Sequence, residues 1–374
     1  MIKNLFKNYI YPISVFSGGV IGVGFLSLPY VTRQAGIWTM LGYFLIITSL
    51  IVIINLIFCD ISLKTPDFKR FPGYVGYHLG KKAEYLAMVL IILGSLGVLL
   101  AYLMIGSQFL MSVFHPVFLG SLLTYAFIFF LIVSVIIYFD IQLVSRVEFG
   151  VLFLLFVSLF FIFIKGFSQI KFGNIFIGAQ GISGNNLFLP YGPLLFALWG
   201  TGLIPEVEEM IRGNKQRLKK IVTISTIIIS VFYFLFVVLI LGIAGYKTEP
   251  TALAGLKNIL ESNLVSIALF MGALTAIVAF IAQGILLKKT LIFDLKLKHN
   301  HAFIITCFPP LILFLIGVTS FVSLLSFVGA VLIGIDGILI LFMYKKIGGK
   351  NIIIYPLSLV FLLGVVYELI YFIK

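Results

Sequence analysis

The chain has 374 residues, of which 61% are hydrophobic and only 10% charged, with a formal net charge of +13. A soluble domain carries roughly 25% charged residues, so too little polar surface is present to cover a core in water. An all-α, multi-pass membrane protein is the class that remains, and the basic excess does not point to nucleic acid, because it sits at the ends of apolar segments.

Runs long enough to span a bilayer, about 20 residues each, fall near 11–31, 36–59, 84–113, 120–139, 147–164, 187–205, 221–245, 262–287, 302–319, 321–343 and 351–373, eleven in all. The first is full length, has no small-residue cleavage site and is followed at once by more apolar segments, so it reads as a span rather than a signal peptide. With the N-terminus inside, 20 of the 26 Lys and Arg fall on inside segments. The other 6 (Arg33, Lys165, Lys171, Lys247, Lys257 and Lys374) fall outside. The positive-inside rule then predicts a cytoplasmic N-terminus and an outside C-terminus, in a plasma (inner) membrane. Cys59 and Cys307 both lie in apolar runs, with neither metal-site nor disulfide spacing.

The first span contains "SGGVIGVGFLSLP" (17–29), with four glycines and Pro29 where a helix should be most regular. Glycine inside a helix costs about 1 kcal/mol relative to alanine and proline about 3. Next come a cytoplasmic loop (64–82) with room for a short helix before Gly80, a tight hairpin at 114–119 and a Gly- and Asn-rich outside loop at 165–186. The sixth span, "YGPLLFALWGTGLIPEVEE", repeats the G-x-G then Pro order at Gly200, Gly202 and Pro205. The two are five spans apart, so they run in opposite directions. Matched Gly/Pro interruptions in two halves are the sequence mark of a transporter made of inverted repeats. The expected organisation is one transmembrane domain, with repeat one over about 11–164, repeat two over about 187–343, and an extra helix at 351–373.

A broken helix survives in hydrocarbon only where protein or a wet cavity covers its free backbone groups. The break then offers backbone chemistry at mid-membrane. The outer half, beginning near Gly24, presents N–H groups suited to a carboxylate. The inner half, ending near Gly18 and Gly19, presents carbonyls suited to an ammonium group, and the sixth span supplies a mirror set around Gly200 to Gly202. The predicted non-helical stretches are 18–24 and 199–203. Gly18-x-x-x-Gly22 is also the small-xxx-small spacing of packed membrane helices, the commoner use for that motif alone; the second, matched break favours a site. A nucleotide loop is excluded, since Ser27 stands where a third glycine is needed and no βαβ unit surrounds it.

"GVIGVGFLSLPYVTRQAG" (19–36), "FPGYVGYHLGKKAEYL" (71–86) and "LFALWGTGLIPEVEEM" (195–210) resemble signatures of the amino acid/auxin permease family, within the amino acid–polyamine–organocation superfamily. The resemblance implies the LeuT-type fold and secondary transport of amino acids. It implies that a substrate carboxylate meets the amides of Gly22, Val23 and Gly24, and that the amine meets carbonyls of Ser17, Gly18, Gly19 and Val20 and of Leu198 to Gly200. Sodium-coupled members often have Asn at the position of Gly18, and here the eighth span offers only Thr275 near its centre, so coupling to H+ rather than Na+ is expected.

Among side chains, Trp199 adjoins the second break, away from the interfaces that Trp prefers, and can cap a substrate. Thr201 lies between the glycines, and Tyr102 is a further pocket candidate set against seventeen tyrosines in all. Asn55, Gln108 and Gln283 read as interhelical hydrogen bonders. Glu206, Glu208 and Glu209 read as an ion-pair cluster with Arg212 and Lys215. Asp336 lies about 12 Å into the tenth span. Charging it in hydrocarbon costs several kcal/mol, so it is either a proton carrier or a hydrogen-bonded tie between helices. Enzyme motifs are absent apart from "GISGN", which only superficially resembles a nucleophile elbow, and no cofactor or metal set is present. Neither an obligate protein partner nor a nucleic-acid partner is implied; the expected partners are the lipid bilayer and a neutral amino acid. An amino-acid sensor would bind the same way, but sensors carry long terminal arms, and the segments outside the outermost spans here are about ten residues or fewer.

Overall fold

The computed structural model describes residues 6–139, 144–176, 186–211, 214–260 and 263–373; Lys374, Arg212 and "GISGN" lie outside these. All regular structure among the described residues is helical. The first span is a bent pair, α1 (Tyr11–Val20) and α2 (Leu28–Ala35), whose two arms meet at 56°. A corner at Gly36 (φ 85°) leads into α3 (Ile37–Lys64), and α4 (Phe71–Leu79) turns at Gly80 (φ 90°) into α5 (Lys81–Phe114). Both corners need a left-handed backbone that glycine adopts without a Cβ penalty. Then follow α6 (Leu122–Tyr138), α7 (Val144–Phe167), the single turn α8 (Phe172–Ile175), α9 (Tyr191–Leu198) and α10 (Ile204–Met210). The chain continues through α11 (Lys215–Ala244), α12 (Leu253–Leu260), α13 (Asn263–Phe293) and α14 (His299–Leu315). It ends with α15 (Phe321–Phe327), α16 (Gly334–Lys346) and α17 (Asn351–Ile373).

Among the described residues, six helices are long and apolar enough to cross a membrane: α3, α5, α11 with its extension to Lys247, α13, Phe321–Lys346 and α17. Shorter apolar helices occupy Leu122–Tyr138, Phe153–Phe167 and His299–Leu315. The long helix α13 packs along α5 and α7, and α11 lies against α3 and α1. Between α15 and α16 the backbone widens into a π-helix over Val328–Ile333, which packs on α9. Helix and π-segment meet through glycine: a Cβ on Gly329 would fall on the Gly192 carbonyl, and one on Gly192 would lie 2.5 Å from the Ser326 carbonyl oxygen.

Segments that charge assigns to one side meet at one end of the molecule. There Lys215 and Lys219 pair with Asp60 at 3.0 and 2.7 Å, Arg70 with Asp294 at 3.3 Å, and Lys64 donates to the Ile347 carbonyl at 3.1 Å. At the opposite end Arg33 donates to the Tyr246 carbonyl at 2.6 Å and the Lys171 amide to the Gly242 carbonyl at 3.0 Å.

Candidate functional site

The two interrupted spans touch at their interruptions. A Cβ on Gly200 would lie 2.6 Å from Val20 Cγ2, one on Gly19 would lie 2.6 Å from Leu203 Cδ1, and one on Gly24 would lie 2.8 Å from the Phe196 ring. These glycines bring two helix ends closer than side chains would allow. In the first span α1 runs to Val20, Ile21 (φ −75°, ψ 91°) and Gly22 (φ −105°, ψ −161°) are extended, and a 3-10 segment covers Val23–Ser27. The non-helical stretch expected at 18–24 is therefore shorter and later: Gly18 and Gly19 are helical, and the outer half restarts at Val23. Gly19 serves the packing against Leu203, which a helical backbone satisfies.

Some expected ligand groups are already engaged. The Ile21 amide donates to the Ser17 carbonyl and the Gly22 amide to the Val20 carbonyl, each at 2.9 Å. Those contacts hold the turn, so the Gly22 N–H and the Ser17 and Val20 carbonyls are not open here. The Val23 and Gly24 amides begin the 3-10 segment and have no partner within it. In the sixth span the interruption lies where it is expected. Helix α9 ends at Leu198, Trp199 is extended (φ −71°, ψ 120°), Gly200 follows (φ −136°, ψ 9°), and Thr201–Leu203 forms a 3-10 turn closed by the Leu203 amide on the Gly200 carbonyl at 3.1 Å. The Thr201 and Gly202 amides are this turn's unpaired starters.

Pro29 and Pro205 stand at the second positions of α2 and α10, within the first turn. There the missing N–H would have no partner anyway, and the fixed φ suits a helix start. The prolines restart the helices rather than break them.

A cavity of about 610 Å³ runs from the Arg70–Asp294 end to these interruptions. It brings together Gly19, Trp199, Gly200, Thr201, Gly202 and Asp336 of the residues that the sequence singles out. Trp199 is half-buried and Thr201 buried, while Gly202 is open, with no atom within 4 Å of where a Cβ would stand. Aromatic walls come from Phe58, Phe71 and Phe196, and polar groups from Ser95 and Gln283, themselves joined at 3.0 Å. Asp336 lies in the first turn of α16, after the π-segment, and its Oδ1 is buried with no hydrogen-bond partner among the described residues.

Gly22, Val23 and Thr275 lie elsewhere, around an enclosed void of about 10 Å³ walled by Phe25, Phe109 and Leu155. That holds one water at most, not an amino acid. The Thr275 hydroxyl donates to the Met271 carbonyl at 2.8 Å, and the Tyr102 hydroxyl sits 3.4 Å from where a Gly22 Cβ would be. Ser17 Oγ is buried without a partner among the described residues, and Leu198 is packed in the core.

Of the polar ties, Asn55 donates to Thr226 at 3.3 Å and Gln283 to Ser95, as expected. The expected glutamate cluster does not form with Lys215, and its Arg212 part lies outside the described residues. Glu208 turns inward and accepts from Ser62, whose hydroxyl also meets Tyr74 at 3.0 Å, while Lys215 pairs with Asp60. Only Glu206 and Glu209 face the cavity mouth. Sequence reading missed Arg70, Asp294 and Ser95. Ser95, a lone hydroxyl in an apolar span, was findable; the pairing of Arg70 with a residue 224 positions away was not.

Residues 7–355 match the family model described as the tryptophan/tyrosine permease family. No curated protein matches the chain. Among solved structures, MhsT in complex with L-phenylalanine aligns over 96% of this chain and 97% of its own, with TM-score 0.62 and 13% identity. The inward-facing conformation of Mhp1 aligns over 90% and 75%, with TM-score 0.68 and 12% identity. Closed Mhp1, a nucleobase-cation-symport-1 family transporter with bromovinylhydantoin bound, aligns over 88% and 76%, with TM-score 0.60 and 12% identity. These likenesses give the fold, which is of the LeuT type.

Proposed function

The chain belongs to the tryptophan/tyrosine permease family, and from that premise we propose that it moves a net-neutral amino acid with an aromatic side chain, by alternating access through the cavity at the crossed interruptions. It is an integral, multi-pass membrane permease and not an enzyme. The observation that carries the finer reading is that one cavity reaches both interrupted helices and is walled by Phe58, Phe71, Phe196 and Trp199. Cavities of this volume hold small ligands, mostly by apolar walls with a few placed polar groups. The free starter amides of Thr201 and Gly202 suit the carboxylate, and the α1 end at Gly19 borders the same space.

Carboxylate binding at Val23 and Gly24, and an approach of Tyr102, belong to a further state in which the small void joins the cavity. Coupling is to H+, with Asp336 as carrier: it borders the cavity and has a carboxylate oxygen unmatched among the described residues. A Na+ site at Thr275 has less support, because that hydroxyl already bonds its own helix.

Taken as spans beside the six long helices, the bent α1–α2 pair, the three shorter apolar helices and the α9–α10 pair make eleven, which supports two repeats of five and an added α17, N-terminus inside and C-terminus outside, in a plasma (inner) membrane. Kinship with the amino acid/auxin permeases rests on the 19–36, 71–86 and 195–210 stretches. The test is uptake of radiolabelled tryptophan, tyrosine and leucine into proteoliposomes under an imposed pH gradient without sodium. Accumulation of the aromatic amino acids above equilibrium is expected. Saturable binding without flux would make the protein a sensor, and uptake only with sodium would overturn H+ coupling.

A further inference from the structure

Away from the central cavity, a surface cleft of about 780 Å³ opens where the Phe6–Ile10 turn meets the start of α11. Tyr9, Gln216, Arg217, Lys220, Thr223 and Ile224 line it, and no Asp or Glu does among the described residues. Lys219, which also lines it, and the neighbouring Lys215 share the single carboxylate of Asp60, at 2.7 and 3.0 Å. Arg217, by contrast, rests 5.7 Å over the Tyr9 ring, and no acid pairs with it or with Lys220 among the described residues. The cleft thus holds three basic side chains beside hydroxyl and amide donors, two of them, Arg217 and Lys220, without an acidic partner among the described residues. Guanidinium and ammonium groups so placed suit a phosphate.

The cleft is not an ordinary aqueous patch, because of what lies next to it. Helical spacing puts Arg217, Lys220, Ile224, Ile228, Val231 and Leu235 on one face of α11. Those four apolar residues are 38%, 49%, 53% and 52% exposed. In a helix that crosses the membrane, an exposed apolar stripe faces acyl chains. The basic cleft therefore sits at headgroup level on a lipid-facing stripe, the arrangement that suits anionic lipid.

We propose that this cleft binds an anionic phospholipid, its headgroup phosphate held by Arg217 and Lys220 and one acyl chain laid along Ile224, Ile228, Val231 and Leu235. The lipid would bridge the Phe6–Ile10 turn and α11, and so brace the inner arm of the first span, which packs on α11. This inference does not depend on which substrate the permease carries.

The test is native mass spectrometry of the purified full chain titrated with phosphatidylglycerol or with phosphatidylcholine of the same acyl chains. The expected result is a saturable first site that prefers phosphatidylglycerol. Each basic side chain near an anionic headgroup contributes roughly fivefold, so Arg217→Gln with Lys220→Gln should weaken that site by about fivefold to thirtyfold. The control pair Lys81→Gln with Lys82→Gln removes the same charge at exposed positions and should leave it unchanged. Melting curves of both doubles should stay close to the wild type, since Lys81, Lys82 and Lys220 are exposed and Arg217 lines an open cleft. Equal binding of the two lipids, or equal loss in both doubles, overturns the proposal. Displacement of the lipid by millimolar inorganic phosphate also overturns it, because the site would then take a free anion.

Discussion

Gly22, Gly24 and Gly202 differ in what a side chain would meet. At Gly24 a Cβ lies 2.8 Å from the Phe196 ring, so Gly24→Val should destabilise the fold by about 1–3 kcal/mol through overpacking. The expected readout is a lowered melting temperature and poor yield, and loss of uptake in that variant says nothing about ligand contact. Gly202 faces the cavity with open space around it. Gly202→Ala should fold normally and raise the KM for substrate by about tenfold with kcat little changed; an unaltered KM would remove Gly202 from the site. Asp336→Asn should abolish accumulation driven by a pH gradient while substrate exchange at equal pH persists. If the variant still follows the gradient, Asp336 is a structural tie. The sequence shows why these residues are unusual, since glycine clusters and a lone acid stand out in apolar runs. It does not show which glycine faces a ligand and which faces a ring, because Phe196 is 172 positions from Gly24 and meets it only through tertiary packing.

At the level of helices, the interruptions were legible because two local rules act together. Glycine weakens the helix, the second arm restarts as a 3-10 turn at Val23 or Thr201, and a proline further along sits where that turn passes into the α-helix. Pro205→Ala should accordingly be tolerated, with stability changed by no more than about 1 kcal/mol and uptake retained, as measured by thermal unfolding and flux. A large loss would mean that proline is needed to stop the two arms fusing. The inner edge of the first break was misplaced because Gly18 and Gly19 permit a helix as readily as a break, and the contact of Gly19 with Leu203 decides for the helix. The π-segment at Val328–Ile333 had no sequence signal beyond Gly329. Its position follows from contact with Gly192, a match of two distant backbones. Gly329→Ala should wedge α9 from the π-segment and abolish uptake, since no flexible side chain is there to yield; normal uptake would show that this contact is not held during transport.

At the scale of the molecule, the pattern of charge predicts two ends, and among the described residues the cavity reaches one of them. Its mouth carries Arg70, Asp294, Glu206 and Glu209, on segments that the charge asymmetry predicts to be cytoplasmic, while at the opposite end Arg33 donates to the Tyr246 carbonyl. The Arg70–Asp294 pair does not lock the mouth, for its side chains are 50% and 35% exposed and exposed pairs contribute about 0–1 kcal/mol. A small thiol reagent should therefore reach the interruption from the inside. Cys59 and Cys307 are fully buried, which keeps background labelling low. Gly202→Cys in membrane vesicles should react with a membrane-impermeant maleimide much faster in inside-out than in right-side-out preparations, and substrate should slow the reaction. Faster labelling from the outside would reverse the assigned topology. Labelling that ignores saturating substrate, in a variant shown to transport, would separate the cavity from the transport path.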